Sequence, residues 1–448
     1  MNPDPNASGR SGQPAQIDRK AQPARAEDPW ENAFSRDNLY RALRRVESNR
    51  GAAGVDGMPV AELRQWLKGH WPEVRRALDR GTYQPAPVRR ATIPKPDGGE
   101  RELGVPTVLD RLIQQAIAQT LMPVFDPHFS ERSYGFRPGR SAQQAVQTAR
   151  GYVVAGLDWV VDIDLERFFD RVQHDALMAR VARKVADKRL LRLIRRYVEA
   201  GVMVDGVKQA STEGTPQGSP LSPLLANIML DDLDRELERR GHRFVRYADD
   251  IRVHVKSERA GQRVLDGLVE FIEKRLKLKV NKSKSSVKHA DKATVLGFGF
   301  QFRGEGRVGI RVARTALERT RGRLRALTGR NWRISMPERI ELLNRYIGGW
   351  CAYFAMAETP TVFEDLDKWL RRRLRQVRWK EWKRPGTRRR NLLALGVTPR
   401  EAREWAGSSK GCWRMAGSPT LARALPNAHW QQLGLLGFGQ SWRRQRLA

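Results

Sequence analysis

The sequence predicts an α+β fold, because its apolar residues follow two different periods in separate parts of the chain. After Asp250, apolar residues alternate at Ile251, Val253 and Val255, which is the period of a strand buried on one face. The last third of the chain follows a helical period instead. Its apolar residues stand three or four positions apart, at Ile340, Leu343, Ile347, Trp350 and Phe354. Strands and helices in separate stretches are typical of the α+β class.

Composition divides the chain into five segments. Residues 1–28 are rich in Pro, Ala, Asp, Gln and Arg and contain almost no large apolar residue, which predicts a disordered leader. The other predicted segments are a helical N-terminal extension over 29–81, a mixed region over 82–302, a basic helical region over 303–392 and a small basic module over 393–448.

The charge balance predicts a polyanionic partner. Lys and Arg total 83 against 50 acidic residues, a net charge of +33. Residues 303–448 hold 32 of the basic residues but only 11 of the acidic ones, so we expect nucleic acid to be held mainly there. No apolar run approaches the ~18 residues of a membrane span, and no signal peptide follows Met1. We therefore expect a cytoplasmic protein of bacterial type that does not bind membranes.

Cysteine usage excludes several classes of nucleic-acid-binding protein. The two cysteines, Cys351 and Cys412, form no Cys-x-x-Cys pair, which argues against zinc fingers, zinc ribbons and a Cys-bearing metal-nuclease domain.

The adjacent carboxylates of Asp249 and Asp250 stand where one predicted strand turns into another. Two neighbouring carboxylates repel each other, so their place on a rigid hairpin favours a bound cation. A two-metal polymerase needs such a pair and a further carboxylate from another strand. Asp164 closes the apolar strand predicted over Trp159–Asp164 and is a candidate for that third ligand, with Asp162 as its rival. A polar hairpin turn and a helix-capping Asp164 are the alternatives.

The order of six motifs resembles that of the group II intron-encoded reverse transcriptases/maturases, in the form that lacks an HNH endonuclease domain. The resemblance extends over about residues 30–448. The matching stretches are Ile93–Arg101, Tyr134–Ser141, Asp162–Asp170, Thr215–Pro223, Tyr247–Asp250 and Leu296–Phe298, followed in the basic part by Tyr346–Trp350 and Trp405–Arg414.

The resemblance implies a right-hand polymerase with fingers and palm, an antiparallel palm sheet, an α-helical thumb and a small C-terminal DNA-binding module. It implies two Mg²⁺ ions held by Asp164, Asp249 and Asp250. Asp164 is preferred over Asp162 because Phe168, Phe169 and Asp170 follow it at the offset found in the family. The implied dNTP-binding residues are Lys95, Arg101, Phe169, Gln217 and Gly218. The candidate nucleic-acid-binding residues are Arg371, Arg372, Arg375, Arg378, Lys383 and Arg384.

The function that the resemblance implies is RNA-directed DNA polymerisation. The protein would bind its group II intron RNA, assist its splicing and copy it at a DNA target, with a DNA primer and dNTPs as further partners. One alternative is a reverse transcriptase of a retron, a diversity-generating element or a defence system. Another is a splicing-only, RNA-binding maturase without polymerase activity. The sequence leaves the oligomeric state open, a dimer included.

Overall fold

The computed structural model describes residues 28–94, 100–204, 207–209, 214, 218–304 and 306–447. The leader predicted over 1–28 therefore lies outside the described residues, apart from Asp28. That carboxylate caps the first helix by accepting from the Trp30 backbone N–H at 2.9 Å, and it pairs with Arg189 at 2.8 Å. Within the described residues, no helix is both long enough and apolar enough to cross a bilayer.

Helices form the N-terminal extension, as its apolar period predicts. They are α1 (Pro29–Ala33), α2 (Arg36–Asn49) and α3 (Val60–Asp79). The Ser35 side chain accepts from the Asn38 backbone N–H, and this cap starts α2. Ala42, Leu43 and Val46 of α2 form a small apolar core with Leu63 of α3. Later in the chain, Val108, Leu112 and Ala116 complete this core.

The mixed region contains both strands and helices, and its last strand ends at Val312, within the segment that was expected to be helical. In chain order they are β1 (Val88–Pro94), β2 (Glu100–Val105), α4 (Val108–Phe125), α5 (Ala142–Val154), β3 (Trp159–Ile163), α6 (His174–Ala182), α7 (Lys188–Glu199), β4 (Val202–Val204), β5 (Val207–Gln209), α8 (Ser222–Arg239), β6 (Arg243–Tyr247), β7 (Asp250–Val255), α9 (Glu258–Phe271), β8 (Ser286–His289), β9 (Thr294–Val295), β10 (Phe298–Arg303) and β11 (Arg307–Val312). A single π-helical turn, Ile272–Leu276, continues α9.

These strands form three sheets. The N-terminal sheet has the order β2-β1-β4-β5, the central sheet β6-β7-β3-β8 and the C-terminal sheet β11-β10-β9. Every pairing in the central sheet is antiparallel. The predicted α+β class is confirmed, with an antiparallel central sheet, whereas β1 and β4 of the N-terminal sheet pair in parallel.

The two faces of the central sheet have different neighbours. Val161, Ile163, Ile251 and Val253 point to one face and pack with α8 and α9 in one apolar core. Because side chains alternate along a strand, Asp162 and Asp164 point to the opposite face. We call that side the carboxylate face.

The basic C-terminal part is helical. Its helices are α10 (Arg314–Leu327), α11 (Met336–Tyr353), α12 (Pro360–Glu381), α13 (Pro385–Ala394), α14 (Pro399–Ala406), α15 (Cys412–Ala416), α16 (Pro419–Ala424), α17 (Asn427–Gln432) and α18 (Phe438–Leu447).

The segment expected as a small C-terminal module shares its core with the helices before it. Trp442 of α18 stacks on Phe363 of α12, with ring centroids 4.9 Å apart, and its indole N–H donates to the Ala357 carbonyl at 3.1 Å. The Asp367 carboxylate accepts from the backbone N–H groups of Phe438 and Gly439. The same apolar core includes β10, β11 and α5, so it continues from the C-terminal sheet to the last helix.

His254 of β7 makes the stability of the central sheet sensitive to acid. Its ring is buried beside Tyr152, and burial lowers the pKa of His254 to about 4. Between pH 6.5 and 4, His254 is therefore protonated in the unfolded chain but neutral in the folded chain. The free energy of unfolding falls as the pH falls through that window. We expect about 3 kcal/mol to be lost by pH 4.

Chemical denaturation of wild type and His254→Phe across this pH range checks the expectation. The variant keeps an aromatic ring and removes the titrating group, so its pH profile should be flatter. All other titratable groups are the same in the two proteins, so their contributions cancel in the comparison. Parallel profiles would show that His254 is protonated equally in the folded and unfolded chains.

Candidate active site

The β6–β7 hairpin carries the adjacent aspartates at its tip. Tyr247 pairs with Asp250, so Ala248 and Asp249 form a two-residue turn. Ala248 has φ 58°, a left-handed conformation that suits such a turn but is uncommon for a residue with a Cβ. Asp249 is exposed at the turn, and the side chain of Asp250 is half exposed at the start of β7.

Asp164 lies beside this hairpin at the end of β3. Ile163 pairs with Ile251 in the antiparallel register, which puts the next residue, Asp164, opposite Asp250. The Asp164 backbone is fixed on its other side, because its N–H donates to Ser285 Oγ at 3.1 Å and its carbonyl accepts from Asn281 at 2.8 Å. Burial raises the pKa of Asp164; the Asp250 charge adds to this effect and Lys284 opposes it.

Asp162, the rival of Asp164, stands two residues earlier on the same face. It pairs in register with Arg252, whose guanidinium lies 3.4 Å from the Asp162 carboxylate and 3.3 Å from that of Asp250. Arg252 also donates to the Thr294 carbonyl at 2.9 Å. The charge of Asp162 is thus balanced by Arg252. Asp164, directly after β3, is the carboxylate next to the hairpin tip.

The donor chemistry of the tip fits a hard divalent cation. Asp164, Asp249 and Asp250 offer only carboxylate oxygens, the ligands that Mg²⁺ prefers. Within the residues that the structure describes, no three His, Cys, Asp or Glu side chains already converge as a metal site. The Arg252 guanidinium contacts Asp250 at 3.3 Å, so part of the carboxylate charge is balanced by this arginine.

A buried ion pair supports the hairpin from below. Arg246 of β6 and Asp234 of α8 are both fully buried and meet at 2.6 and 2.8 Å. Arg246 also donates to the Ala248 carbonyl and to Asn227, each at 2.9 Å. Asn227 in turn donates to the Gly135 carbonyl at 2.9 Å. This Arg246 network connects the turn to α8. The sequence alone did not reveal it, because Arg246 bonds to residues of other elements.

Strained backbone is concentrated in the matching motifs. Among the described residues, six other than glycine have φ between +47° and +60°. Four of them, Phe136, Arg167, Ala248 and Leu296, belong to stretches that carry the family resemblance. Such conformations persist where the surrounding structure enforces them, and they are common at functional sites.

The predicted nucleotide-binding residues are only partly described. Lys95 and Gln217 lie outside the described residues, as does the side chain of Arg101. Phe169 is half buried, with its ring centroid 5.1 Å from that of Phe168. Gly218 has φ 112°, and a Cβ there would lie 3.0 Å from the Gly104 carbonyl oxygen of β2, so the turn before α8 approaches the N-terminal sheet closely.

The arginines of α12 are engaged with the C-terminal helices. Arg372 lies over the Trp413 ring at 4.1 Å, and it donates to the Trp413 carbonyl at 3.3 Å. Arg375 donates to the Ala416 carbonyl at 3.3 Å, and Arg378 pairs with Glu381 at 3.0 Å. Arg371 is half buried on the same helix. The α12 surface therefore holds α15 in place in addition to any role with nucleic acid.

The basic residues before α13 have a different environment. Lys383 and Arg384 are both exposed, as are Arg389 and Arg390 within α13. We call Lys383–Arg390 the basic connector. Its exposed side chains are accessible to phosphate groups.

A groove of about 500 Å³ adjoins the carboxylate face. It is lined by Asp250 and Leu296 on the sheet side and by Arg319, Tyr346 and Tyr353 on the helical side. The Tyr353 hydroxyl donates to the Leu296 carbonyl at 2.9 Å, which joins α11 to the strained turn before β10. Arg319 and Tyr353 were not singled out in the sequence, because only the fold brings them to the hairpin.

Comparison with known proteins identifies the class of this chain. Residues 93–300 match the family model described as reverse transcriptase (RNA-dependent DNA polymerase). Residues 317–396 match the maturase-specific domain of group II introns.

Individual relatives agree with these matches. The chain is 31% identical to Protein YkfC of Escherichia coli (strain K12) in an alignment of 346 positions that covers 68% of this chain and 91% of that protein. It is 28% identical to the group II intron-encoded protein LtrA of Lactococcus lactis subsp. cremoris in an alignment of 345 positions that covers 61% of this chain and 56% of LtrA. The aligned part thus spans about half of LtrA. A solved structure titled "Partial Cas6-RT-Cas1--Cas2 complex" shares 27% identity over 54% of this chain and 42% of that chain, with a TM-score of 0.35.

The chain belongs to the group II intron-encoded reverse transcriptase/maturase family. It is an RNA-directed DNA polymerase by its domain, and reverse transcriptase domains use divalent metal ions.

Proposed function

We propose that this protein copies its group II intron RNA into DNA at a DNA target and assists the splicing of that RNA. The observation that carries the proposal is the register of β3 and β7, which puts Asp164 opposite Asp250 and next to the Asp249 turn. The central sheet is then the palm, β1 and β2 belong to the fingers, and α10–α12 form the thumb. The helices after residue 393 are a DNA-binding region.

The residues of the site have different roles in nucleotidyl transfer. Asp164, Asp249 and Asp250 would hold two Mg²⁺ ions, and the bound ions would neutralise the charge that develops at the primer 3′-oxygen and on the departing pyrophosphate. Lys95 and Arg101 contact the triphosphate, while Gln217 and Gly218 lie along the template and the incoming nucleotide. The groove beside Asp250 receives the end of the primer. The Arg252 guanidinium balances part of the charge of Asp162 and Asp250.

Primer extension tests the polymerase part of the proposal. A DNA primer annealed to an RNA template is incubated with the protein, dNTPs and Mg²⁺, and EDTA is added to a parallel reaction. We expect extension only where Mg²⁺ is free. A folded protein that binds the duplex but extends no primer would favour the splicing-only maturase.

Splicing of a precursor RNA tests the RNA part separately. The precursor carries the intron that surrounds the reading frame, and the readout is the spliced product at low Mg²⁺ with and without protein. Stimulation is expected to survive in a polymerase-deficient variant. An active polymerase that neither binds nor splices this precursor would favour the retron, diversity-generating or defence alternative.

Phe169 should set the choice of sugar. The family resemblance gives Phe169, whose ring is half buried, the role of excluding a ribose 2′-hydroxyl, so Phe169→Val should raise the use of rNTPs relative to dNTPs about 10-fold. Single-nucleotide incorporation of dGTP and rGTP measures the ratio. Phe168→Leu is the control, because Phe168 is buried and its ring belongs to the core. An unchanged ratio in Phe169→Val would mean that Phe169 only packs.

The basic connector should hold RNA through phosphate contacts. Lys383→Gln/Arg384→Gln removes two exposed charges, so the affinity for structured RNA should fall and the slope of log affinity against log salt should flatten by about 1.5. Filter binding at several salt concentrations gives both quantities.

The control for the connector is Arg259→Gln/Arg263→Gln, which removes two exposed charges from α9. Equal slopes of log affinity against log salt for the two double variants would show that RNA binding depends only on the net charge of the protein. Arg372 and Arg375 are unsuitable for this test, because their loss would also loosen α15 from α12.

A further inference from the structure

Phe136 is an exposed aromatic residue in a strained conformation. Its ring is 44% exposed, and it belongs to none of the apolar cores formed by the described residues. Its φ is 60°, which a bulky side chain rarely adopts and a glycine adopts freely. Neither core packing nor backbone geometry therefore accounts for an aromatic side chain at this position.

The residues on both sides of Phe136 fix its position. A Cβ at Gly135 would overlap the backbone nitrogen of Ala248, so the chain passes directly against the Asp249 turn. Arg137 is buried and donates to the Asp126 carboxylate at 2.7 Å and to the Ser133 carbonyl at 3.0 Å. The ring is thus held on rigid backbone while its surface stays open to solvent.

Phe136 stands at the outer edge of the central sheet. Ser133 forms a parallel bridge with Arg246, so the chain before Phe136 runs beside β6, which is the outermost strand on that side. Three strand spacings separate this position from β3, which corresponds to about 14 Å from the Asp164 backbone. A nucleic-acid duplex whose primer end reaches the hairpin tip extends over such a distance.

We propose that Phe136 is a binding residue that packs against the sugar and base surface of the primer–template duplex beside the metal-binding hairpin. This proposal rests on the proposed polymerase function. An aromatic ring makes such contacts without reading sequence, since every nucleotide offers an apolar face. The strain at residue 136 is then retained because it aims the ring at the duplex.

The variant Phe136→Gly separates a binding role from a structural one. Glycine relieves the strain and removes a ring that is outside the cores, so the melting temperature should stay the same or rise. Affinity for an RNA/DNA primer–template, measured by fluorescence anisotropy, should fall about 10-fold. The length of DNA made per binding event should shorten, whereas the KM for dNTP at saturating duplex should not change.

Two further variants complete the test. Phe136→Trp should restore the affinity, because it supplies a larger ring at the same place. Phe302→Ala removes another exposed aromatic residue, 42% exposed, from the C-terminal sheet and should leave the affinity unchanged.

Wild-type affinity in Phe136→Gly would overturn the proposal, and so would a lowered melting temperature without restoration by tryptophan. A raised KM for dNTP with unchanged duplex affinity would assign the ring to the nucleotide instead and would also overturn it. Failure of wild type to extend any primer contradicts the proposed function, while the anisotropy measurement still decides the role of Phe136.

Discussion

Replacing Asp249 by asparagine will abolish dNTP incorporation while leaving the fold and the RNA affinity intact. Asparagine fits a two-residue hairpin turn as well as aspartate does, so the backbone has no reason to move. The lost carboxylate removes a charge that holds the catalytic cations, and we expect the rate to fall by about 10³-fold or more, the equivalent of about 4 kcal/mol.

Single-turnover primer extension measures this loss, with melting temperature and RNA binding as checks on folding. Asp266→Asn is the matched control, since Asp266 is an exposed carboxylate on α9. Asp164→Asn should repeat the result of Asp249→Asn, and Asp162→Asn should have a smaller effect because Arg252 balances Asp162. Near-normal extension by folded Asp249→Asn would refute the assignment of the site.

Replacing Arg246 by methionine will destabilise the fold by about 3–5 kcal/mol, because Asp234 is left buried without its partner. Activity should fall further than the folded fraction does, since the Ala248 carbonyl also loses its donor. Urea denaturation gives the stability, and primer extension normalised to folded protein gives the activity.

The double variant Arg246→Met/Asp234→Leu distinguishes the two effects. Removing both charges should recover much of the stability, because a buried ion pair is often no better than apolar packing. The hairpin tip would still lack its tie to α8, so the activity should stay low. Full recovery of activity together with stability would show that the Arg246 network serves the fold alone.

Local patterns in the sequence were sufficient to predict the hairpin and its aspartates. The alternation at Ile251, Val253 and Val255 did form β7, and the strand that ends at Ile163 did form β3. Both patterns depend on residues close together in the chain, where periodicity is informative. The family resemblance grouped Asp164 with Asp249 and Asp250, but the pairing of β3 with β7 and the register that juxtaposes Asp164 and Asp250 became known only from the structure.

Long-range contacts explain what the sequence could not reveal. The role of Arg252 depends on Asp162 and Thr294, which are separated from it by about 90 and 40 residues. The sequence predicted that the arginines of α12 form an open basic surface, yet Arg372 and Arg375 donate to carbonyls of α15. A charge pattern alone does not distinguish an arginine that faces solvent from one that caps a neighbouring helix.

The continuous apolar core from β10 to α18 limits the positions at which segments of this enzyme can be joined to segments of its relatives in a chimera. A chimera joined at residue 303 would split β10 from the helices against which it packs, and two unmatched halves would meet inside one core. A junction between His289 and Thr294, where β8 ends and β9 begins, keeps the C-terminal sheet and the helices of that core in one parental piece and leaves only α5, Tyr134, Val160 and Val245 in the other. Libraries of exchanged C-terminal regions should therefore yield more folded enzymes from the earlier junction than from the later one.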